Sequence, residues 1–423
     1  MPLPDTTQVL VVGAGPNGLA AALTLATLGI KATVVEARSE RSDGARGCLI
    51  HARTLEVLKT IGLSDNLKDI GIQSKGIIFH AQTNPIFNVD IAGLSQFTEF
   101  PFILLTPQSE AEWIFEENLL NHGVKVIRNS KVIGLREDTS STEGLQVSFE
   151  DGLTIRASYV VGADGARSTV RTLAGISFKD PSTNIMYDQN PASAAFMQIT
   201  LADVILDIDT SIEIRRDVVS WYLNGRIMFC PLDPPGSLVV DKHKSFWRIA
   251  IAIPPGLPTT PPRYPDHVYI QNEINERKPW KGSIRLNQLR TAATYRVRSA
   301  VADTFFKAIG NGKVLLVGDS AHVHSPTGGQ GMNLGICDAV ALGRAIAEHI
   351  KGSQDDAVLA NYSVMRKRTA IQVIQATKRM TAIVNIPNGW LRRIANILMY
   401  AVSFITPIRR KVAWRLGGLT YRD

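Results

Sequence analysis

The sequence predicts an α/β protein built from a parallel-sheet domain, a β-rich domain set into it and a helical C-terminal segment. Three observations predict this. The stretch Gln8–Glu36, QVLVVGAGPNGLAAALTLATLGIKATVVE, reads as strand, glycine turn, helix and strand. Between Lys179 and Arg290 the chain becomes β-like, loop-rich and proline-rich, with Pro231, Pro234, Pro235, Pro254, Pro255, Pro258, Pro261 and Pro262. Beyond about residue 376 the pattern is helical, basic and apolar.

At 423 residues the chain is long for one core, so two domains are expected. With 45% apolar and 20% charged residues, disorder and a multi-span membrane protein are both disfavoured. The net charge of +8 comes without a long Lys/Arg run, which argues against a nucleic-acid partner. Anionic ligands or a negatively charged membrane face stay open. Cys48, Cys230 and Cys337 are scattered and odd in number, which fits a reducing, cytoplasmic setting and leaves no CxxC motif or cysteine zinc site. The N-terminal MPLPDTTQ has neither a basic region nor an apolar core, so no secretion signal is expected.

In chain order, Gln8–Val12 is a short apolar run, as a buried parallel strand should be. Gly13, Gly15 and Gly18, with Pro16 and Asn17 between them, have the GxGxxG spacing. The first glycine permits a tight turn, the second a close approach of backbone to a pyrophosphate, and the third close packing of helix on strand. The helix, roughly Leu19–Leu28, stops at Gly29. Lys31–Val35 reads as the next strand and ends at Glu36, whose carboxylate can accept hydrogen bonds from a ribose and would repel a 2′-phosphate. Together these features point to an adenine dinucleotide, FAD or NAD rather than NADP; the plainer alternative is an ordinary βαβ unit.

A polar loop, Ala37–Gly47, carries Arg38, Arg41 and Arg46, and a helix follows at roughly His51–Ile61. From Lys75 to Phe102 the pattern predicts short β pieces, Gly76–His80, Ile86–Ile91 and Phe97–Phe100, as an excursion into the second domain. Gln108–His122 returns to helix, and strands are expected at Val124–Ile127, Val132–Leu135, Leu145–Phe149 and Leu153–Ala157. Tyr159–Val161 leads into a second glycine-rich loop, GADGARSTVR. The strand Lys313–Val317 leads into a third, GDSAHVHSPTGGQGMN, and then a helix, roughly Asn333–Ile350. Ile394–Ile408 is an uncharged apolar run of 15 residues between Arg393 and Arg409, too short to span a bilayer. A helix packed on the protein is expected there, with an interfacial amphipathic segment as the alternative.

These boundaries divide the chain into a dinucleotide domain (1–74, 106–178 and 297–375), a β-rich substrate domain (75–105 and 179–296) and a C-terminal segment (376–423). A nicotinamide dinucleotide needs only the first glycine loop. A second grip near residue 319 suits a longer ligand held at both ends, and FAD is such a ligand. Asp319, after a buried strand, can accept hydrogen bonds from ribityl hydroxyls. Gly328, Gly329 and Gly331 let backbone lie against a flat ring, and Gly331, Met332 and Asn333 open a helix whose positive end can face the flavin.

The set GAGPNG, GADGARSTVR and GDSAHVHSPTGGQGMNLGICDA resembles the single-component (class A) flavin-dependent aromatic hydroxylases typified by para-hydroxybenzoate and phenol hydroxylases. The resemblance covers roughly Val9–Gly175 and Arg296–Thr369. It implies a GxGxxG-type, Rossmann-like FAD domain with an inserted β-sheet domain and C-terminal helices. It also implies that Asp164 and Gly165 touch FAD and a transient NAD(P)H, with support from Arg167. Arg46 and Gln108, with Glu36 and Ala37, would join the FAD site, and Pro326 would lie beside the ring where O2 reacts. The implied cycle is hydride transfer from NAD(P)H to FAD, addition of O2 at flavin C4a, and delivery of OH from the hydroperoxide to a phenolic ring. Such chemistry resides in the cofactor, in keeping with the absence of a Ser-His-Asp set; His322 and His324, spaced i, i+2 with no third ligand, make a poor zinc pair.

Substrate groups are expected from the β-rich middle. Tyr222, Arg226 and Phe229, in WYLNGRIMFC, supply an aromatic wall and a cation to hold and ionise a phenol, the plainer alternative being core or edge residues of a strand; His51 and His80 are further candidates, and Arg53, in RTLE, is a candidate to orient the Arg46 loop or contact the flavin. The basic, apolar tail is compatible with a lipophilic, for example prenylated, aromatic substrate and with peripheral membrane contact. The alternatives within the fold are an epoxidase, a halogenase (FWRIAIAIP faintly resembles its tryptophan motif) and an isoprenoid double-bond reductase. A non-catalytic flavoprotein is the alternative outside enzymes.

Overall fold

The computed structural model describes residues 3–41, 44, 46–138, 144–187, 197–232, 244–256, 260–352 and 355–422. Pro234, Pro235 and Pro258 of the proline-rich middle lie outside them. Valine-rich Thr6–Val12 is the centre of the first sheet because both of its faces are covered: Val9, Leu10 and Val11 are fully buried. It pairs in parallel with Ala32–Val35 on one side and Thr154–Gly162 on the other. Gly312–Leu316 continues the parallel set beyond Thr154–Gly162, and Val126–Ile127 continues it beyond Ala32–Val35. Phe306–Ile309 closes one edge antiparallel, and the hairpin Val132–Glu137/Leu145–Phe149 attaches to Thr154–Gly162. The helices Pro16–Thr27, Gln108–Asn121 and Gln330–Lys351 pack over this sheet and on one another.

The helices start where their backbone chemistry allows. The first begins at Pro16 rather than Leu19, since a proline in the first turn gives up only an amide that no carbonyl would have met. Gln330–Lys351 begins three residues before Asn333 because Gly329, at φ 63°, turns the chain directly into it.

A second sheet runs in the order Ile284–Arg296, Gln198–Ile208, Lys244–Ile253, Ile227–Pro231, Val219–Tyr222, Gly76–Ala81, Asn84–Asp90. Its pairs are antiparallel except Val219–Tyr222 with Gly76–Ala81, so the excursion after Lys75 is one end of this sheet. Phe97–Phe100 is not the strand expected. Asp90 Oδ1 accepts the Gly93 N–H, the chain turns through Ala92–Leu94, and the next strand is Ile103–Leu105.

The C-terminal apolar run also departs from expectation. It is split, because Pro407 suits the first turn of a new helix: Trp390–Ser403 is followed by Thr406–Leu416. Only Arg392 of the first helix is buried, whereas Trp390, Ile394, Ile397, Leu398 and Phe404 are exposed. The helix does pack on the protein as expected, against the strand Asn84–Asp90 and through Met399 and Val402, but the rest of its apolar stripe faces outward.

Candidate functional site

The three glycine-rich loops lie at the same end of the parallel strands, each just after a strand. At Gly13, φ is 109° and a side chain would strike the Ala163 carbonyl, so the first loop nests directly on the second. At Gly15 the space is open to 4 Å, the bare backbone that a pyrophosphate needs. Pro16 is buried in the first turn of the helix, and Gly18 packs that helix against the Gly13 carbonyl. The Asn17 side chain lies against Gly318 and Gly335, joining the first loop to the third; its Oδ1 is buried without a hydrogen-bond partner.

Glu36 is buried and already engaged. It accepts from Ala14 N at 2.9 Å, Arg38 N at 3.0 Å and Arg38 Nε at 3.0 Å. Burial alone would raise its carboxyl, but the Arg38 and Ala14 hydrogen bonds hold it below its ordinary value. A ribose would share this carboxylate with Arg38. Ala37 beside it is exposed.

Gln108 clamps the loop that carries Arg46. Its Oε1 accepts from Gly47 N at 3.1 Å, and its Nε2 donates to the buried Glu112 at 2.7 Å. Arg46 itself is exposed; burial pushes the Tyr295 phenol up, and the nearby Arg46 charge opposes this. Arg53 turns away from the loops, to Glu56 and Gly418 at the C-terminal end.

The two carboxylate oxygens of Asp164 differ in what they meet. Oδ2 caps the helix Thr169–Leu173, accepting from Thr169 N at 2.7 Å and Val170 N at 3.1 Å. Oδ1 is buried with no partner, and burial pushes the carboxyl up. Gly165, at φ 83°, has open space beside it, and Arg167 is exposed. Buried Arg171, in the same loop but given no role from sequence, donates to Ser320 O at 2.8 Å and Ala166 O at 3.0 Å, which ties the second loop to the third.

In the third loop Asp319 is exposed, just after the strand Gly312–Leu316. Enough protein surrounds it to push its carboxyl up, and it has no hydrogen-bond partner among the described residues. Pro326 is exposed, and its carbonyl accepts from Gly329 N at 2.9 Å, closing the turn that precedes the helix. Gly331 and Met332 sit in the first turn of that helix, with Met332 against Gly47. The Asn333 side chain is fully committed to backbone. Its Oδ1 accepts from His51 N at 2.7 Å, and its Nδ2 donates to Leu49 O at 2.7 Å and Gly329 O at 2.6 Å. It therefore shapes the loop, leaving no side-chain atom for a cofactor. His51 donates from Nε2 to Gly328 O at 2.9 Å. His322 is held by buried Asp338 at 2.6 Å, which also pairs with Arg366 at 2.5 Å.

The residues expected at the substrate are not brought to these loops. Tyr222 stacks on His80 at 4.5 Å and packs against Trp280 at 4.6 Å and Phe229 at 6.0 Å. This aromatic group lies with Ile270 and Ile274, under the helix His267–Arg277, and burial pushes the Tyr222 phenol up to about 12. Arg226 occupies a hairpin turn at φ 52° and reaches the Ile386 carbonyl at 3.4 Å. The reason is the two-residue period of a strand: neighbours of Tyr222 and Phe229 take the other face. That face carries Cys230, whose sulfur is 3.9 Å from that of Cys48, and Arg248. Buried Arg248 pairs with Asp203, with one bond at 2.7 Å, and donates to the Arg46 main-chain oxygen. Trp247 of FWRIAIAIP packs on the opposite face, with Phe229. Arg248 was legible as a lone charge in an apolar strand; Tyr295 carried no such mark.

The profile of a protein family described as FAD binding domain matches residues 6–377. Among characterised sequences, the chain is similar to an uncharacterized aromatic compound monooxygenase of Bacillus subtilis, 26% identical over 427 residues, covering 98% of this chain and 76% of that one. It is also similar to a rifampicin monooxygenase of Streptomyces venezuelae, 27% identical over 412 residues, covering 95% and 78%. Among solved structures, p-nitrophenol 4-monooxygenase from Pseudomonas putida superposes with a TM-score of 0.80 over 99% of this chain and 100% of that one, at 23% identity, a likeness of fold.

Proposed function

The chain belongs to the FAD-binding-domain family of flavin-dependent monooxygenases, and from that premise we propose that it hydroxylates a phenolic, lipophilic aromatic compound with NAD(P)H and O2. FAD, when bound, supplies the hydride acceptor and the activation of oxygen. The chain's residues fit that group: open backbone at Gly15, an Asp164 oxygen without a partner and an exposed Asp319 carboxylate with no hydrogen-bond partner among the described residues.

In this reading Gly13, Gly15, Pro16, Asn17 and Gly18 hold the pyrophosphate, and Glu36 with Ala37 the adenosine side. Asp319 orients the ribityl chain. Gly329, Gly331 and Met332 floor the ring with the positive end of their helix. Asp164, Gly165, Arg46 and Gln108 complete the grip, and Pro326 borders the reacting edge. The observation that carries the reading is the joining of three distant loops into one elongated site by Asn17 and Arg171. The substrate would lie between that site and the sheet face bearing Arg248, with Tyr295 beside Arg46.

The lipophilic choice rests on the outward apolar face of the C-terminal helices, and peripheral contact of that segment with a membrane belongs to the same reading. Among the described residues no helix is long and apolar enough to cross a membrane. The test is a panel of substituted phenols, prenylated and not, scored for stimulated NAD(P)H oxidation, oxygen uptake and product mass. A gain of one oxygen atom without loss of CO2 supports simple hydroxylation. NAD(P)H oxidation indifferent to every phenol contradicts the reading, and chloride-dependent products favour a halogenase.

A further inference from the structure

A surface helix of a soluble protein turns its apolar stripe inward and its charges outward. Trp390–Ser403 is built the other way. Its inner side is pinned by buried Arg392, which donates to Val384 O at 2.8 Å and Ile386 O at 2.7 Å. Trp390, Ile394, Ile397 and Leu398 recur at helical spacing on the outer side, and the stripe continues through Phe404 and Ile405; these six are between 45% and 70% exposed. A contiguous apolar surface of this kind marks an interaction site.

The charges around it choose the occupant. From Ile386 to Arg422 the sequence has seven Lys and Arg residues and no Asp or Glu. Arg393, Arg410, Lys411 and Arg415 are exposed on or beside the two helices. We propose that the face formed by Trp390–Ser403 and the start of Thr406–Leu416 is a docking surface for an anionic lipid bilayer, with the apolar side chains in the headgroup boundary and the cations at lipid phosphates and carboxylates. A second copy of the chain is a poorer occupant, because pairing the face with itself would set cations against cations.

The second of these helices reaches the third glycine loop at its buried far end. The Leu416 carbonyl accepts from Gln330 Nε2 at 3.0 Å, and the Leu416 and Met380 side chains lie against Gly328. The proposal deepens the lipophilic-substrate reading and rests on it.

The test is flotation of the holoenzyme with phosphatidylcholine vesicles, with and without phosphatidylserine. Partitioning onto the serine-lipid vesicles is expected to exceed that onto phosphatidylcholine about tenfold or more, and to fall in high salt. The triple variant Ile394→Ser, Ile397→Ser, Leu398→Ser is expected to stay in solution while turning over a water-soluble phenol at the wild-type rate. Arg393→Gln with Lys411→Gln is expected to remove the preference for serine lipid. No partitioning onto either vesicle, partitioning unchanged by the triple variant, or a dimer that the triple variant dissociates would overturn the proposal. Turnover of water-soluble phenols without vesicle binding would sink the docking surface and leave the hydroxylase reading standing. Vesicle binding without turnover of any phenol would do the reverse.

Discussion

Arg248, buried in the middle of the second sheet, donates a hydrogen bond to the main-chain oxygen of Arg46 in the loop that follows the dinucleotide strands. One guanidinium thereby fixes the sheet to the cofactor loop, and Asp203 holds it in place. Arg248→Ala leaves Asp203 buried and uncompensated, so a loss of about 3–5 kcal/mol in unfolding free energy is expected in denaturant titrations. Arg248→Met with Asp203→Leu should recover most of that stability. It should still bind FAD more weakly in a fluorescence titration, since the tie to Arg46 is gone.

Asp164 serves the fold with one oxygen and leaves the other without a partner. Asp164→Ala removes the helix cap, expected to cost about 1 kcal/mol in thermal or chemical unfolding of the apoprotein. Asp164→Asn keeps a capping acceptor and should restore that stability. Weaker FAD binding in Asp164→Asn as well would separate the free carboxylate oxygen from the cap.

Burial pushes the His51 ring down to about 4, against its hydrogen bonding to the Gly328 and Gly329 backbone, which pulls it up. The unfolded chain takes up its proton near the ordinary value of about 6.5, whereas the folded protein does not until about 4. Between those values the unfolded state binds more protons, so stability falls as pH drops, by on the order of 3 kcal/mol for this ring. Urea midpoints measured from pH 7.5 to 4.5 should show that slope. His51→Gln should flatten it in part, because His324, also pushed down to about 4 by burial, contributes in the same direction.

The two tyrosines should behave oppositely. Tyr222 lies under the helix His267–Arg277, so Tyr222→Phe is expected to leave kcat/KM within about twofold. Tyr295 lies near Arg46, and Tyr295→Phe removes a polar oxygen beside that charge, expected to cost about 1.5 kcal/mol of binding. A rise of roughly tenfold or more in KM or in the FAD dissociation constant is the expected reading. Sensitivity of Tyr222 with indifference of Tyr295 would return the substrate chamber to the other face.

The glycine loops were legible because their demands are local: Gly13 must pass under Ala163, and an acid ending the second strand needs no distant partner to be noticed. The sheet face proposed for the substrate was not, because adjacent strand residues point oppositely and WYLNGR offers aromatic rings at both Trp221 and Tyr222. The Arg248–Asp203 pair joins residues 45 apart that only sheet pairing brings together. The outward C-terminal stripe was unreadable for a different reason: apolar spacing gives a helix its face but not what the face meets.

The most direct measurement is a turnover under 18O2 with purified holoenzyme, NAD(P)H and the phenol that most stimulates its oxidation. One 18O atom per product molecule, with one NAD(P)H oxidised and FAD retained on the protein, is the expected result. Product oxygen drawn from water, or a protein that takes up no FAD, would contradict the joining of the three loops into a flavin site for aromatic hydroxylation.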